Sequence, residues 1–129
     1  MSIVARNIFL FLLIVLPLTT HGKTTVVITN SLAGNLDLTV HCKSKNDDLG
    51  EHLLHPKQSY SFSFQSIVVR GSTLFFCTFS WQGACHRFDI FDQDRDFGCD
   101  GRTCNRDIKQ DGPCLPEQKT PCLPWKSNC

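Results

Sequence analysis

The chain lacks the features that usually mark nucleic-acid binding and membrane attack. It has no basic arm, no low-complexity tract and no internal repeat, and its 13 Lys and Arg residues nearly balance its 12 Asp and Glu residues. A net charge near zero provides no long-range attraction to nucleic acid or to acidic membranes. The sequence therefore predicts no nucleic-acid partner and no direct insertion into a membrane.

The motifs of several enzyme classes are also missing. There is no Gly-x-Ser-x-Gly nucleophile elbow and no glycine-rich loop that could bind a phosphate. Nothing singles out a pair of carboxylates for glycoside hydrolysis, although the sequence leaves that alternative open. We expect a protein that is not an enzyme, with no catalytic residue, no cofactor and no metal. The absence of any Asn-x-Ser/Thr sequon predicts a chain without N-linked sugar.

The one long apolar run of the sequence lies at its N-terminus. Residues 8–16 are apolar without interruption, Pro17 follows, and Thr20 and Gly22 place small residues where a signal peptidase cleaves. A membrane-spanning helix needs ~20 mainly apolar residues, so a signal anchor is the weaker alternative. We assign residues 1–22 to a cleaved signal peptide and residues 23–129 to one secreted, extracellular domain.

Eight cysteines lie between Cys42 and Cys129. An even number in a small exported chain predicts disulfides formed in an oxidising compartment. Cys85 precedes His86, which would suit a thiolate nucleophile, but a sulfur held in a disulfide cannot attack a substrate. Oxidised cysteines are equally unsuited to binding zinc. The spacing of the cysteines alone leaves their connectivity open.

The hydrophobic pattern has a period of two, which indicates β-strands with one buried face. No stretch of ten or more residues after the signal shows a sustained helical stripe. Strands that recur about every 8–12 residues with turn residues between them are typical of an all-β sandwich or barrel. We therefore expect a small disulfide-stabilised antiparallel β-sandwich. Past Asp92 we expect an irregular, disulfide-pinned half with one or two short strands. The predicted strands are 24–29, 36–42, 59–64, 73–81 and 87–91.

The acidic stretch from Asp92 to Gly98 resembles the start of a calcium-binding loop. Such a loop needs glycine at its sixth position and a bidentate Glu at its twelfth. Phe97 and Thr103 occupy those positions, so both requirements fail. A solvated loop between strands is the better interpretation.

Several sequence blocks, in the same order and spacing, carry a family resemblance. They read VHCKSKNDDLG from Val40, then HLLHPKQSYSFSF, TLFFCTFSW and RFDIFD. This succession resembles the plant self-incompatibility S1 family, the secreted S-protein homologues, from about Val26 to Trp125. The family pattern continues with an Arg, two nearby cysteines and a tryptophan. Here Arg95 and the two cysteines fit, but Arg106 stands where the tryptophan would be, so the packing beneath the second cysteine must differ.

The resemblance also suggests how the cysteines are used. It implies a family quartet, a local bridge within a C-terminal extension that begins at about residue 110, and a last pair that ties the tail to the sandwich. The quartet is Cys42, Cys77, Cys99 and Cys104; the local bridge is Cys114 with Cys122; the last pair is Cys85 with Cys129.

The function implied by the resemblance is that of a secreted plant ligand without catalytic activity. We expect a monomer that binds an unidentified plant cell-surface receptor in cell–cell recognition, either pistil–pollen self-incompatibility or related signalling. The alternative is a secreted defence or toxin-like protein that acts on foreign cells.

Two polar loops, 43–51 and 92–97, are the candidate receptor contacts. Replacing Asp94 and Asp96 by Ala should leave folding intact and weaken receptor binding. Their candidate residues are Lys43, Lys45, Asp47, Asp48, Asp92, Asp94, Arg95 and Asp96.

Overall fold

Nine β-strands occur in the parts of the chain that the computed structural model describes, which are residues 22–65 and 73–129. The predicted signal peptide falls outside these residues, except for its last residue. The strands are β1 (Thr24–Asn30), β2 (Leu38–Lys43), β3 (Asp48–Leu54), β4 (Ser59–Phe64), β5 (Leu74–Trp81), β6 (Ala84–Asp92), β7 (Thr103–Lys109), β8 (Gly112–Cys114) and β9 (Ser127–Asn128).

The strands form two sheets that enclose one core. One sheet has the order β4-β1-β7-β8 and the other the order β3-β2-β5-β6-β9. The prediction of an all-β, disulfide-stabilised sandwich is therefore confirmed. The strand pairs are antiparallel with one exception, since β1 and β7 run parallel from Thr25 opposite Thr103 to Asn30 opposite Ile108. These two strands are far apart in sequence, so no hairpin constrains their relative direction.

Alternation along the strands builds the core. Val26 and Ile28 of β1 and Leu38 and Val40 of β2 are fully buried, while the residues between them are partly exposed. Phe64 of β4 bridges the sheets, since its ring centroid lies 4.6 Å from that of Phe75 and 4.9 Å from that of Phe91. The period of two seen in the sequence is thus the inward and outward alternation of a sandwich.

Two strands occupy positions where the sequence analysis expected irregular chain. β3 begins at Asp48, inside the predicted loop 43–51, and it is an edge strand with β2 as its neighbour in the sheet. Edge strands accept glycine and charged residues that a central strand would not, which is why its sequence gave a weak strand signal.

β7 is the larger departure, because it lies inside the four-stranded sheet between β1 and β8. Its inward residues are Cys104, Arg106 and Ile108, and all three are fully buried. An arginine in the middle of the inward set hides the apolar alternation, so the expectation of an irregular half past Asp92 is wrong for this segment.

All eight cysteines are paired. Two bridges lie within the family quartet: one joins neighbouring strands β2 and β5, and the other closes the turn before β7. The two C-terminal bridges have the partners that the sequence analysis expected. The pairs are Cys42–Cys77, Cys99–Cys104, Cys114–Cys122 and Cys85–Cys129.

Candidate functional site

Both candidate loops lie at the same end of the five-stranded sheet. Lys43 at the end of β2 pairs with Phe76 of β5, and Leu74 at the start of β5 pairs with Asp92 at the end of β6. The segments that follow β2 and β6 therefore leave the sheet side by side, with one strand between them, which is ~10 Å. We call residues 43–48 and 92–101 together the loop end.

The first part of the loop end is a tight turn rather than a long loop. The backbone N–H of Ser44 donates to the carbonyl oxygen of Asp47 at 2.8 Å, and the N–H of Asp47 donates to the Ser44 hydroxyl at 3.2 Å. The side chains of Lys43, Lys45 and Asp47 are exposed, so they stay available as candidate contacts.

Asp48 is also exposed, but its carboxylate has partners within the protein. Its Oδ1 accepts the backbone N–H of Gly50 at 2.9 Å and lies 2.6 Å from Nε2 of His41. The hydrogen bond from Gly50 and then that of His41 hold the pKa of Asp48 below its ordinary value of 3.8. This residue therefore fixes the start of β3 in addition to presenting charge.

Asp96 contradicts the expectation of a solvated receptor contact, because its side chain is fully buried. Its carboxylate accepts hydrogen bonds from Arg95 Nη2 at 2.7 Å and from the backbone N–H of Asp92 at 2.8 Å. Arg95 also donates to the carbonyl oxygen of Asp89 at 2.7 Å and stacks on Phe88 with its guanidinium carbon 4.9 Å from the ring centroid. Asp96 and Arg95 thus fix the loop from inside. The prediction that Asp96 contacts a receptor is wrong, because its side chain is not accessible.

Arg106 of β7 completes this buried charge network. Its Nη2 lies 3.2 Å from the Asp96 carboxylate, its Nε donates to the carbonyl oxygen of Ile90 at 3.0 Å, and its Nη1 pairs with Glu117. The network connects the loop, strand β6 and the C-terminal extension through one guanidinium. Arg106 occupies the position at which the resemblance led us to expect tryptophan, and its side chain is fully buried.

The exposed part of this loop is small and well defined. Asp94 and Phe97 project outward on either side of the buried Asp96, and Phe97 is 76% exposed, the highest value among the large apolar residues described. The end of the loop is attached to β1, where the Thr24 hydroxyl donates to Asp100 at 2.9 Å and accepts the N–H of Gly101 at 2.8 Å. Phe97 is not among the candidate contact residues predicted from the sequence, although an aromatic residue beside a glycine within a charged run was an available signal.

Other chemistry is limited by the disulfides. Cys85 is bonded to Cys129, so its neighbour His86 has no free thiol to activate. Cys99, Cys104 and Glu117 come close enough to suggest a metal site, but the two cysteines are bonded to each other and offer no thiolate. Among residues 22–65 and 73–129 no helix is long and apolar enough to cross a membrane.

These features define the class: a small β-sandwich closed by four disulfides, with a fixed polar loop end that carries one exposed aromatic residue. The family model described as plant self-incompatibility protein S1 matches residues 25–125. S-protein homolog 5 of Arabidopsis thaliana is 50% identical over 105 residues, which cover 81% of this chain and 80% of that protein. S-protein homolog 2 of the same plant is 43% identical over 115 residues, which cover 83% of this chain and 71% of that protein.

A solved structure agrees with the fold. It is the structure of SPH (self-incompatibility protein homologue) proteins, described as a widespread family of small, highly stable, secreted proteins from plants. It superposes with a TM-score of 0.60 at 21% identity, covering 83% of this chain and 97% of that one. The chain belongs to the plant self-incompatibility S1 family. Its disulfides and its family membership make it a secreted, extracellular protein.

Proposed function

We propose that this protein is a non-catalytic ligand that binds a plant cell-surface receptor through its loop end. The observation that carries the proposal is the contrast within residues 94–97. Asp94 and Phe97 are exposed, while Asp96 between them is fully buried and held by arginines. A loop that is anchored from the core presents its exposed side chains in one arrangement, which lowers the entropy lost on binding.

The composition of the loop end suits protein recognition. Exposed aromatic residues surrounded by polar groups are frequent energetic centres of interfaces, and Phe97 has that setting. Lys43, Lys45, Asp47 and Asp94 place both signs of charge around it, which favours specificity and encounter rate over raw affinity. A carboxylate and an aromatic ring on the fixed loop would form the centre of the contact, and the turn 44–47 its rim.

Binding to plasma-membrane vesicles tests the proposal directly. Labelled protein is titrated onto vesicles from pollen, and from leaf for comparison, with the variants Phe97→Ser and Asp94→Ala beside the native chain. We expect saturable binding that Phe97→Ser weakens at least tenfold, equal to ~1.4 kcal/mol, and that Asp94→Ala weakens less. Leu53→Ser is the matched control, because Leu53 is an exposed apolar residue outside the loop end, on edge strand β3. Equal affinities for Phe97→Ser and the native protein would contradict the assignment of the loop end.

The role in cell–cell recognition needs a second readout. Native protein added to growing pollen tubes should arrest growth, and Phe97→Ser should not. The defence or toxin-like alternative predicts dye release from anionic liposomes, a result that would favour direct membrane attack over receptor binding. Intact liposomes together with growth arrest support a receptor-mediated role.

A further inference from the structure

The outer face of the five-stranded sheet carries a groove that is separate from the exposed tip of the 92–98 loop. Its volume is about 560 Å³, within the range of sites that hold small ligands or single side chains of a partner. Strand β5 forms the floor with Leu74, Phe76 and Thr78. Leu74 and Phe76 are 40% and 41% exposed, although both are large apolar residues on a sheet face.

One wall of the groove belongs to the C-terminal tail. The N–H of Lys126 donates to the carbonyl oxygen of Arg87 at 3.0 Å, and its ammonium group lies 2.9 Å from the Asp89 carboxylate. The disulfide between Cys85 and Cys129 then fixes the end of the tail against β6. The extension therefore does more than close the chain, because it turns an open sheet face into a groove.

The opposite wall comes from β2 and is connected to the loop end. His41 and Lys43 line it, and His41 is held by the Asp48 carboxylate at 2.6 Å. Outward residues of two strands and the tail thus surround the apolar floor on both sides.

The charge of the groove has one predominant sign. Its cations are Lys43, Arg87 and Lys126, and its carboxylate is Asp89, which pairs with Lys126. Within the described residues, Lys43 and Arg87 have no carboxylate within ion-pair distance. Lys43 and Arg87 therefore stand on opposite sides of an exposed phenylalanine, and the carboxylate of Asp48, which lies opposite Lys43 in the strand pairing, is beyond ion-pair distance.

We infer that this groove docks an acidic segment of a partner protein that inserts one apolar side chain against Leu74 and Phe76. An acidic segment fits the groove because carboxylates on either side of the inserted residue can reach Lys43 and Arg87. An apolar side chain fits its exposed floor because covering Leu74 and Phe76 removes apolar surface from water. The inference goes beyond receptor binding by the loop end; the groove shares Lys43 with the loop end, but none of the variants that test the groove alters a loop-end residue, so the two proposals can fail separately.

A synthetic probe tests the inference without the natural partner. The probe is an acetylated twelve-residue peptide of Glu residues with one central Trp, titrated into the ¹⁵N-labelled full mature protein. We expect saturable binding with amide shift changes at Phe76, Thr78 and Arg87. Arg87→Glu and Phe76→Ser should each weaken it at least tenfold. Two comparison peptides, one with Lys for every Glu and one with Ser for Trp, should bind at least tenfold more weakly.

Matched control variants distinguish an effect on the groove from a loss of folding or a general change of charge. Lys119→Glu changes the same charge at an exposed site outside the groove, and Leu53→Ser removes an exposed apolar side chain outside it; both should leave the affinity unchanged. The double variant Cys85→Ser, Cys129→Ser releases the tail wall and should also weaken probe binding. Unperturbed amide shifts in the other sheet confirm that each variant is folded.

Several outcomes would overturn the inference. They are no saturable binding at millimolar probe, equal binding of the peptide with Ser for Trp, and equal weakening by Lys119→Glu and Arg87→Glu. Dimerisation that Phe76→Ser abolishes would instead assign the face to a second copy of the chain. Binding to phosphatidylserine vesicles with the same dependence on Arg87 and Phe76, without binding of the peptide, would assign it to a membrane.

Discussion

Replacing Asp96 by Ala should destabilise the protein strongly, although Asp96 belongs to a loop. The carboxylate accepts hydrogen bonds from Arg95, from the N–H of Asp92 and from Gln118 Nε2 at 3.2 Å, and it lies 3.2 Å from Arg106 Nη2. Alanine has no carboxylate, so all four groups lose this acceptor at once. The largest consequence falls on Arg106, whose side chain is fully buried and cannot turn to solvent.

The magnitude follows from the burial of the pair. Removing one partner of a buried ion pair costs about 3–5 kcal/mol, because the remaining charge is left uncompensated. Arg106 keeps Glu117 as a partner, which places Asp96→Ala at the lower end, ~3 kcal/mol. For a domain of this size 1 kcal/mol corresponds to roughly 4 °C, so the melting temperature should fall by about 12 °C.

Guanidinium unfolding followed by fluorescence and by far-UV circular dichroism measures the change. Asp94→Ala is the matched control, because this carboxylate is exposed on the same loop, and it should shift stability by less than about 0.5 kcal/mol. The double variant Asp96→Leu, Arg106→Met should recover at least ~1 kcal/mol relative to additivity, since it removes both fully buried charges of the network together. If Asp96→Ala unfolds within 0.5 kcal/mol of Asp94→Ala, the account of the buried network is wrong.

Two further predictions concern a glycine and a carboxylate. Gly112 has a φ of +143°, and a Cβ there would lie 1.9 Å from the carbonyl oxygen of Leu123, so Gly112→Ala should cost about 1–3 kcal/mol in a melting experiment. Gly98→Ala, which meets nothing within 4 Å, should cost far less. NMR titration should place the pKa of Asp48 below 3.8, and His41→Ala should move it back toward that value. Because the native pKa is the lower one, the stabilisation by Asp48 is present above pH 3.8 and is lost as the pH falls through the native pKa.

The fold class was readable from the sequence because it depends on local alternation. In β4 and β5 the inward positions are apolar or aromatic, and the centre of β1 buries Val26 and Ile28 in the same alternation, so period and burial coincide. β7 was not readable, because the inward residue at its centre is Arg106. Its burial depends on a carboxylate ten residues earlier in the chain, and no local pattern reports such a partner. The parallel pairing of β1 with β7 is equally non-local.

The loop end was predicted in position but not in its detail. Asp92, Asp94 and Asp96 look equivalent in sequence, as alternating carboxylates of one acidic run. The structure separates them, because the guanidinium groups lie on one side of the loop and Asp96 faces them. Phe97 then points to solvent, which the aromatic character of the residue does not predict. Which acidic residues of this loop stay exposed therefore depends on which of them face the two arginines.

The buried guanidinium of Arg106 finds hydrogen-bond partners from several parts of the chain. A guanidinium has five N–H donors, and burial is tolerable when each of them finds an acceptor. The carbonyl oxygens of Ile90 and Asn105, the two carboxylates and the Cys99 sulfur provide those acceptors. Because Arg106 is buried, it needs the Asp96 carboxylate as a partner. The same contact fixes the loop that exposes Phe97, so the position of Phe97 depends on the packing of the core.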